Sequence, residues 1–234
     1  MNVPTTIRIL SAGAPKTGVQ MCVEAYSEKS GRPCDVEFAT APVIGERVSL
    51  GRAGAEIIVA PMPALEEFAR AGWIIAQSVA AIGSVAAGVA VRCGAEAPDL
   101  STVETFRAAL VGADGLVYNR ASSGQTIATI IENLGIAAAV ADKTVRVANG
   151  AAVMKYLAVD CRDKMFGFGQ IPEIRRHEDL GIRLVGPLPD ALGGVTTYGV
   201  GLVSAAADDG GAADLIASMT SPEGARIFEK NGIV

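Results

Sequence analysis

The sequence predicts an α/β protein with a largely parallel sheet, and three observations carry that prediction. Half of its 234 residues are hydrophobic and only 19% are charged, a composition suited to a sizeable buried core. Short apolar β-type runs alternate with stretches of helical periodicity, the pattern of successive strand–helix units. Glycine, proline and small polar residues punctuate the joins between them.

Taken in order, Thr6–Leu10 (TIRIL) is the first strand, closed by Ser11-Ala12-Gly13-Ala14. Pro15 stands where a first helical turn favours proline, and the helical pattern follows from Val19 to Ser27. Gly31–Thr40 holds a second strand, Thr40-Ala41-Pro42 leads into the helix VIGERVSL, and AEIIVAP followed by PALEEFARAG forms a third strand and helix. WIIAQSVAAIGSVAAGVAV reads as two short β-type runs, broken by Gln77, Ser78, Gly83, Ser84 and Gly88. Asp99, Ser101 and Thr102 are candidate caps for a helix through Leu110. GLVYN and SGQTIATIIENLG form the next strand and helix, and Lys143–Ala148 with a helix from Ala151 repeats the unit. MFGFGQ, GIRLVGPLP and Val195–Val203 are further strands. The stretch from Asp208 to Val234 reads as two helices parted by Ser221-Pro222.

Several function classes are disfavoured at this level. A net charge of −5 does not suit a broad nucleic-acid-binding face, which is basic. Trp73–Val91 is uncharged over 19 residues, yet its Gln, Ser and Gly residues make it buried strand rather than membrane span. The N-terminus, MNVPTTIRILSAG, shows no basic region followed by an apolar one, so the expectation is a cytoplasmic protein as written, or a periplasmic one whose leader has been removed. Cys22, Cys34, Cys93 and Cys161 have no zinc or redox spacing, and no metal or cofactor is expected. No HExxH, phosphate-binding Walker loop or GxGxxG occurs, and no Ser–His–Asp motif is present. The single histidine, His177, lies in the polar stretch EIRRHEDLG and is read as solvated.

The stretch VYNRASSGQTIATIIENLGI places a cation, two hydroxyls and a glycine where a helix begins. Helix starts offer unpaired N–H groups and positive potential to anions. Ligands of open α/β sheets bind beyond the carboxyl ends of strands. Arg120, Ser122, Ser123 and Gly124 are therefore candidate anion ligands, alongside Ser11, Gly13, Ala14 and Lys16 at the first junction, Thr40 at the second, and Asn149 with Gly150 at a fourth. Gln170 at a strand end and Tyr198 on a late strand complete the candidate set. At each junction, simple capping is the competing use of the same residues.

The tail LIASMTSPEGARIFEKNGIV resembles the C-terminal signature of periplasmic molybdate-binding proteins and related type 2 solute-binding proteins, and AEIIVAPMPALEEFARAGWI resembles the segment where their third strand meets the next helix. The resemblance implies a two-lobed type 2 periplasmic-binding-protein fold, with mixed sheets flanked by helices and a ligand cleft between lobes. One lobe would comprise residues 1–84 and 196–234, the other 85–195, with hinge strands near 84–89 and 195–199. Gly83, Gly88, Gly193, Gly194 and Gly199 could absorb hinge rotation or simply punctuate turns. An exported form would have an ABC transporter permease as its partner.

The chain departs from the molybdate binders at the ligand positions. Ser11-Ala12-Gly13-Ala14-Pro15-Lys16 stands in place of consecutive serines, Thr40-Ala41-Pro42 in place of a glycine–serine run, and Gln170 in place of a late tyrosine. Lys16 and Arg120 add charge, and an Arg fork matches a carboxylate in bidentate fashion. GFGQIPEI and GIRLVGPLPDAL resemble a divergent branch that includes aconitate isomerase. Two readings follow: a solute-binding protein enclosing a small anion, either organic carboxylate or oxyanion, or an isomerase of a small tricarboxylate on the same scaffold. For the second, Lys16, Glu173 and Tyr198 are candidate proton carriers.

Overall fold

A computed structural model describes residues 5–206 and 210–234. The leader reading at residues 1–4 and the Asp208–Asp209 start of the C-terminal helical stretch lie outside the described residues. The chain divides into two compact units, residues 1–85 with 197–234 and residues 86–196.

The first unit begins with three strand–helix pairs: β1 (Ile7–Ala12) and α1 (Lys16–Ser30), β2 (Cys34–Ala39) and α2 (Ala41–Ser49), β3 (Ile57–Pro61) and α3 (Met62–Arg70). β1 lies between β2 and β3, parallel to both, with Ala12 beside Ala39 and Ser11 beside Val59. All five residues of β3 are buried, which explains its uninterrupted apolar run. Gly31 ends α1 in the left-handed conformation, its N–H donating to Ser27 O.

The chain enters the second unit along β4 (Ala80–Arg92). Here the reading of two short runs is corrected, because a 3-10 turn at Ala76–Ser78 precedes one strand of 13 residues. Gly83 does not break it. The residue takes φ +132 while staying in the strand, and Ser84 next to it exchanges backbone hydrogen bonds with Val234. A side chain at Gly83 would meet Ile233, so glycine serves close approach rather than strand termination.

The second unit continues with α4 (Val103–Val111), β5 (Gly115–Asn119), α5 (Ser122–Asn133), α6 (Ala137–Val140), β6 (Thr144–Val147), α7 (Gly150–Val159), β7 (Met165–Gln170), α8 (Ile171–Arg176) and β8 (Ile182–Pro187). β5 lies between β6 and β7, parallel to both, and β4 runs antiparallel to β7 and β8. Of the three candidate caps for α4, Thr102 is the N-cap, forming a reciprocal capping box with Thr105. Two apolar clusters cover this sheet. Phe106, Tyr118, Phe166 and Phe168 belong to one, and Val117, Val153, Leu157 and Met165 to the other.

β9 (Val195–Leu202) returns the chain to the first unit and pairs antiparallel with β3, placing Tyr198 beside Pro61. α9 (Gly211–Met219) and α10 (Pro222–Lys230) then pack on α1, with Phe228 seated against Gly18. Ser221 caps α10 through its hydroxyl, which accepts from Gly224 N–H at 3.1 Å.

Candidate functional site

Parallel strands place their carboxyl ends on one edge, and in each unit that edge carries the candidate residues. In the first unit β1 ends at Ser11 and Ala12, β2 meets Thr40, and β3 ends opposite Tyr198. Ser11 is fully buried, and its hydroxyl donates to Ala12 O at 3.0 Å. Gly13 and Ala14 form the turn into α1, whose N-cap is Pro15 and whose first turn has no side-chain cap. Lys16 opens that helix, where a cation opposes the helix dipole, and its ammonium lies 4.9 Å from the centroid of the Phe38 ring. The ring supplies what the helix end does not. Thr40 is the N-cap of α2, and its hydroxyl makes no capping bond. Tyr198 is buried on β9.

In the second unit β5, β6 and β7 bring Arg120, Asn149 and Gln170 to one edge. The reading of Ser122 and Ser123 as possible caps for α5 is corrected by Asn119. Ala121 is the N-cap and lends no side-chain bond. Instead Asn119 Oδ1 accepts from Ala121 N–H at 2.8 Å and Gly124 N–H at 3.1 Å, while its Nδ2 donates to Ser123 Oγ at 3.0 Å. Asn119 is 2% exposed. Gly124 is required here because a Cβ would strike the backbone carbonyl of Asn119. Ser122 and Ser123 are half-buried at the first turn.

Arg120 is exposed and its guanidinium is free of ion pairs among the described residues. Its backbone N–H donates to Val147 O at 2.8 Å, fixing where the side chain leaves the sheet. Arg146, unremarked in the sequence, is a second guanidinium at this edge. It donates to Asn119 O from Nε at 3.2 Å and from Nη2 at 3.1 Å, and lies 4.3 Å from the Tyr118 ring centroid. Its bonds are spent on holding the end of β5.

Asn149 caps α7, accepting from Ala152 N–H at 2.9 Å. The start of α7 already has an occupant in Glu173, whose carboxyl group lies against Gly150 and accepts from the backbone of Ala151. Burial holds the Glu173 carboxyl above its ordinary value, outweighing Arg176 and His177, which pull the other way. His177 is not fully solvated as read. It ends α8 half-buried, with Nδ1 2.8 Å from Glu173 O.

Gln170 is the last residue of β7, 2% exposed, with Nε2 donating to Thr196 Oγ1 at 3.3 Å. Among the described residues its Oε1 is buried without a partner. No cluster of three metal-ligating side chains occurs among the described residues, and no helix among them is long and apolar enough to cross a membrane.

Each compact unit carries polar helix starts along the carboxyl-end edge of its parallel strands, the edge at which open α/β sheets bind ligands. The chain belongs to the bacterial extracellular solute-binding protein family, whose model matches residues 7–234. It is similar to aconitate isomerase from Pseudomonas sp., at 26% identity over 237 residues, covering 98% of this chain and 87% of that protein. Among solved structures it is similar to the sulfate-binding protein SubI of Mycobacterium tuberculosis, with TM-score 0.78, 13% identity and coverage of 98% and 86%. The periplasmic molybdate-binding protein of Azotobacter vinelandii aligns with TM-score 0.76, 13% identity and coverage of 97% and 98%. The type 2 periplasmic-binding-protein fold follows from these likenesses.

Proposed function

We propose that this solute-binding protein takes a small organic anion carrying carboxylates. The observation that carries the reading is Arg120, whose backbone is held at the end of β5 directly before the α5 start and whose exposed guanidinium has no ion pair among the described residues. A planar fork pairs two oxygens of one carboxylate, and the consecutive serines that the resemblance to molybdate binders implies are replaced here by Ser11-Ala12-Gly13-Ala14-Pro15-Lys16. Within the first unit, Lys16, Ser11, Gly13, Ala14 and Thr40 at the strand-end edge are further candidate ligands. In this reading the crossings near 84–89 and 195–199 are hinges. An exported form would hand its solute to an ABC transporter permease, and the family relationship supports that location over the cytoplasm.

A thermal-shift panel of molybdate, tungstate, sulfate, phosphate, citrate and both aconitate isomers tests the proposal. Ligand at 100 times its Kd stabilises by about 2.7 kcal/mol, a shift of roughly 5–10 °C for a chain of this size. Carboxylates should give that shift and Arg120→Ala should remove it without lowering the unliganded Tm. A response to molybdate and tungstate alone would overturn the reading.

The second reading is an isomerase of a small tricarboxylate, favoured by Glu173. Its carboxyl lies at the same edge as Arg120 and holds its proton more tightly than an ordinary carboxylate, as a group that returns a proton to substrate must. Interconversion of the aconitate isomers by the purified protein, lost in Glu173→Gln, would establish it.

A further inference from the structure

The amide of Gln170 is half satisfied. One end donates to Thr196, the other end is buried without a hydrogen bond, and the residue is 2% exposed. A buried polar atom left unpaired is costly, and such a group calls for a partner, whether a ligand or an ordered water. Turning the amide over does not remove the deficit. Thr196 would then donate to Oε1, and the NH2 would be the end left over.

Its position makes the unpaired end useful. Strand alternation puts Gln170 on the same face of β7 as Phe166 and Phe168, against the aromatic cluster, while Gly167 and Gly169 face Leu157 and Met154. Val117 lies beside Gly167, so the β5–β7 register carried to the strand ends makes Arg120 and Gln170 neighbours on that edge. One edge thus carries a cation free of ion pairs among the described residues, the α5 start and an uncharged amide whose Oε1 lacks a partner among them. The cation and helix start suit a carboxylate. The amide asks for something else.

A fully ionised oxyanion or carboxylate brings acceptors only, so it pairs with the amide only when that is turned over and leaves Oε1 unpaired in the orientation observed. A hydroxyl donates and accepts, and so satisfies the amide in either orientation. We propose that Gln170, held by Thr196, is a specificity residue that reads a ligand hydroxyl, making the preferred solutes hydroxy-carboxylates. This rests on the organic-anion reading above.

The test is calorimetric titration with matched pairs differing by one hydroxyl, malate against succinate and citrate against tricarballylate. Wild type should bind the hydroxylated member about tenfold more tightly, the effect of one good hydrogen bond. Gln170→Met, similar in volume and without the amide, should bring the ratio to within about twofold. Thr196→Val, which releases the amide, should lower the ratio too and serves if Gln170→Met fails to fold. A wild-type ratio near one, or a ratio kept in both variants, overturns the hydroxyl inference alone. Absence of binding by any carboxylate overturns the organic-anion reading and this inference with it.

Discussion

The carboxylate of Glu173 fills the space that a side chain on Gly150 would need. Glycine at the first position of α7 is therefore not a turn residue by default. It clears the helix start for a carboxylate from the next strand–helix unit, and Ala151 N–H binds that carboxylate. The unit supplies its own carboxyl group at one helix start while the α5 start, beside Arg120, is held by the neutral amide of Asn119.

Gly150→Ala should destabilise the protein by about 2–4 kcal/mol, since a methyl group must displace a buried carboxylate. In a Glu173→Ala background the same change should cost under about 1 kcal/mol, because alanine suits a helix better than glycine once the space is free. Chemical denaturation of the four proteins measures the coupling, and equal costs in both backgrounds would refute the contact.

The Glu173 carboxyl is raised by burial, so its effect on stability has a definite sign. The folded state holds the proton more tightly than the unfolded chain, whose ordinary value is 4.5. Stability from this group is full below that value and is lost as pH rises through the higher folded value. Glu173→Gln carries no such loss. Its Tm relative to wild type should therefore climb from about pH 4.5 upward and then level off. A difference that stays flat from pH 4 to pH 7 would mean the carboxyl is unperturbed.

Asn119→Ala removes both N–H partners of the α5 start and should cost about 1–2 kcal/mol, as loss of a helix cap does. Asn119→Asp retains the acceptor and adds a negative charge beside Arg120. The expected result is a Tm near that of wild type with anion affinity weakened about tenfold or more, read by thermal melts and titration on one sample. Anion affinity unchanged in Asn119→Asp would place the ligand away from this helix start.

Arg146→Lys keeps the charge but loses the two-armed contact with Asn119 O and the guanidinium's position over the Tyr118 ring. A loss of about 1–2 kcal/mol is expected in denaturant melts. A melt identical to wild type would show that the end of β5 holds without that guanidinium.

Some elements were legible residue by residue. GLVYN and MFGFGQ are the strands β5 and β7 with no change of boundary, because fully buried strands are apolar runs cut off by turn residues. β4 was misread at Gly83, where glycine permits approach of Ile233 and a backbone exchange between Ser84 and Val234, 150 positions further along the chain. At the α5 start the sequence pointed to the right segment and the wrong atoms. Serine at a helix start is the commonest cap, yet the cap comes from Asn119, which reads as a strand end until the turn carries it back over the helix.

Periodicity, junction residues and the spacing of glycine and proline were enough to specify an α/β chain of strand–helix units and to mark where helix starts meet strand ends, because those features arise from neighbours a few residues apart. Folding settled which polar group serves which partner. Glu173 reaches α7, Arg146 clasps the end of β5, and Gln170 keeps half an amide free beside Thr196. Each of these pairings joins residues from different elements. A hydrogen bond or a desolvated charge depends on distances of a few ångströms that local sequence does not contain.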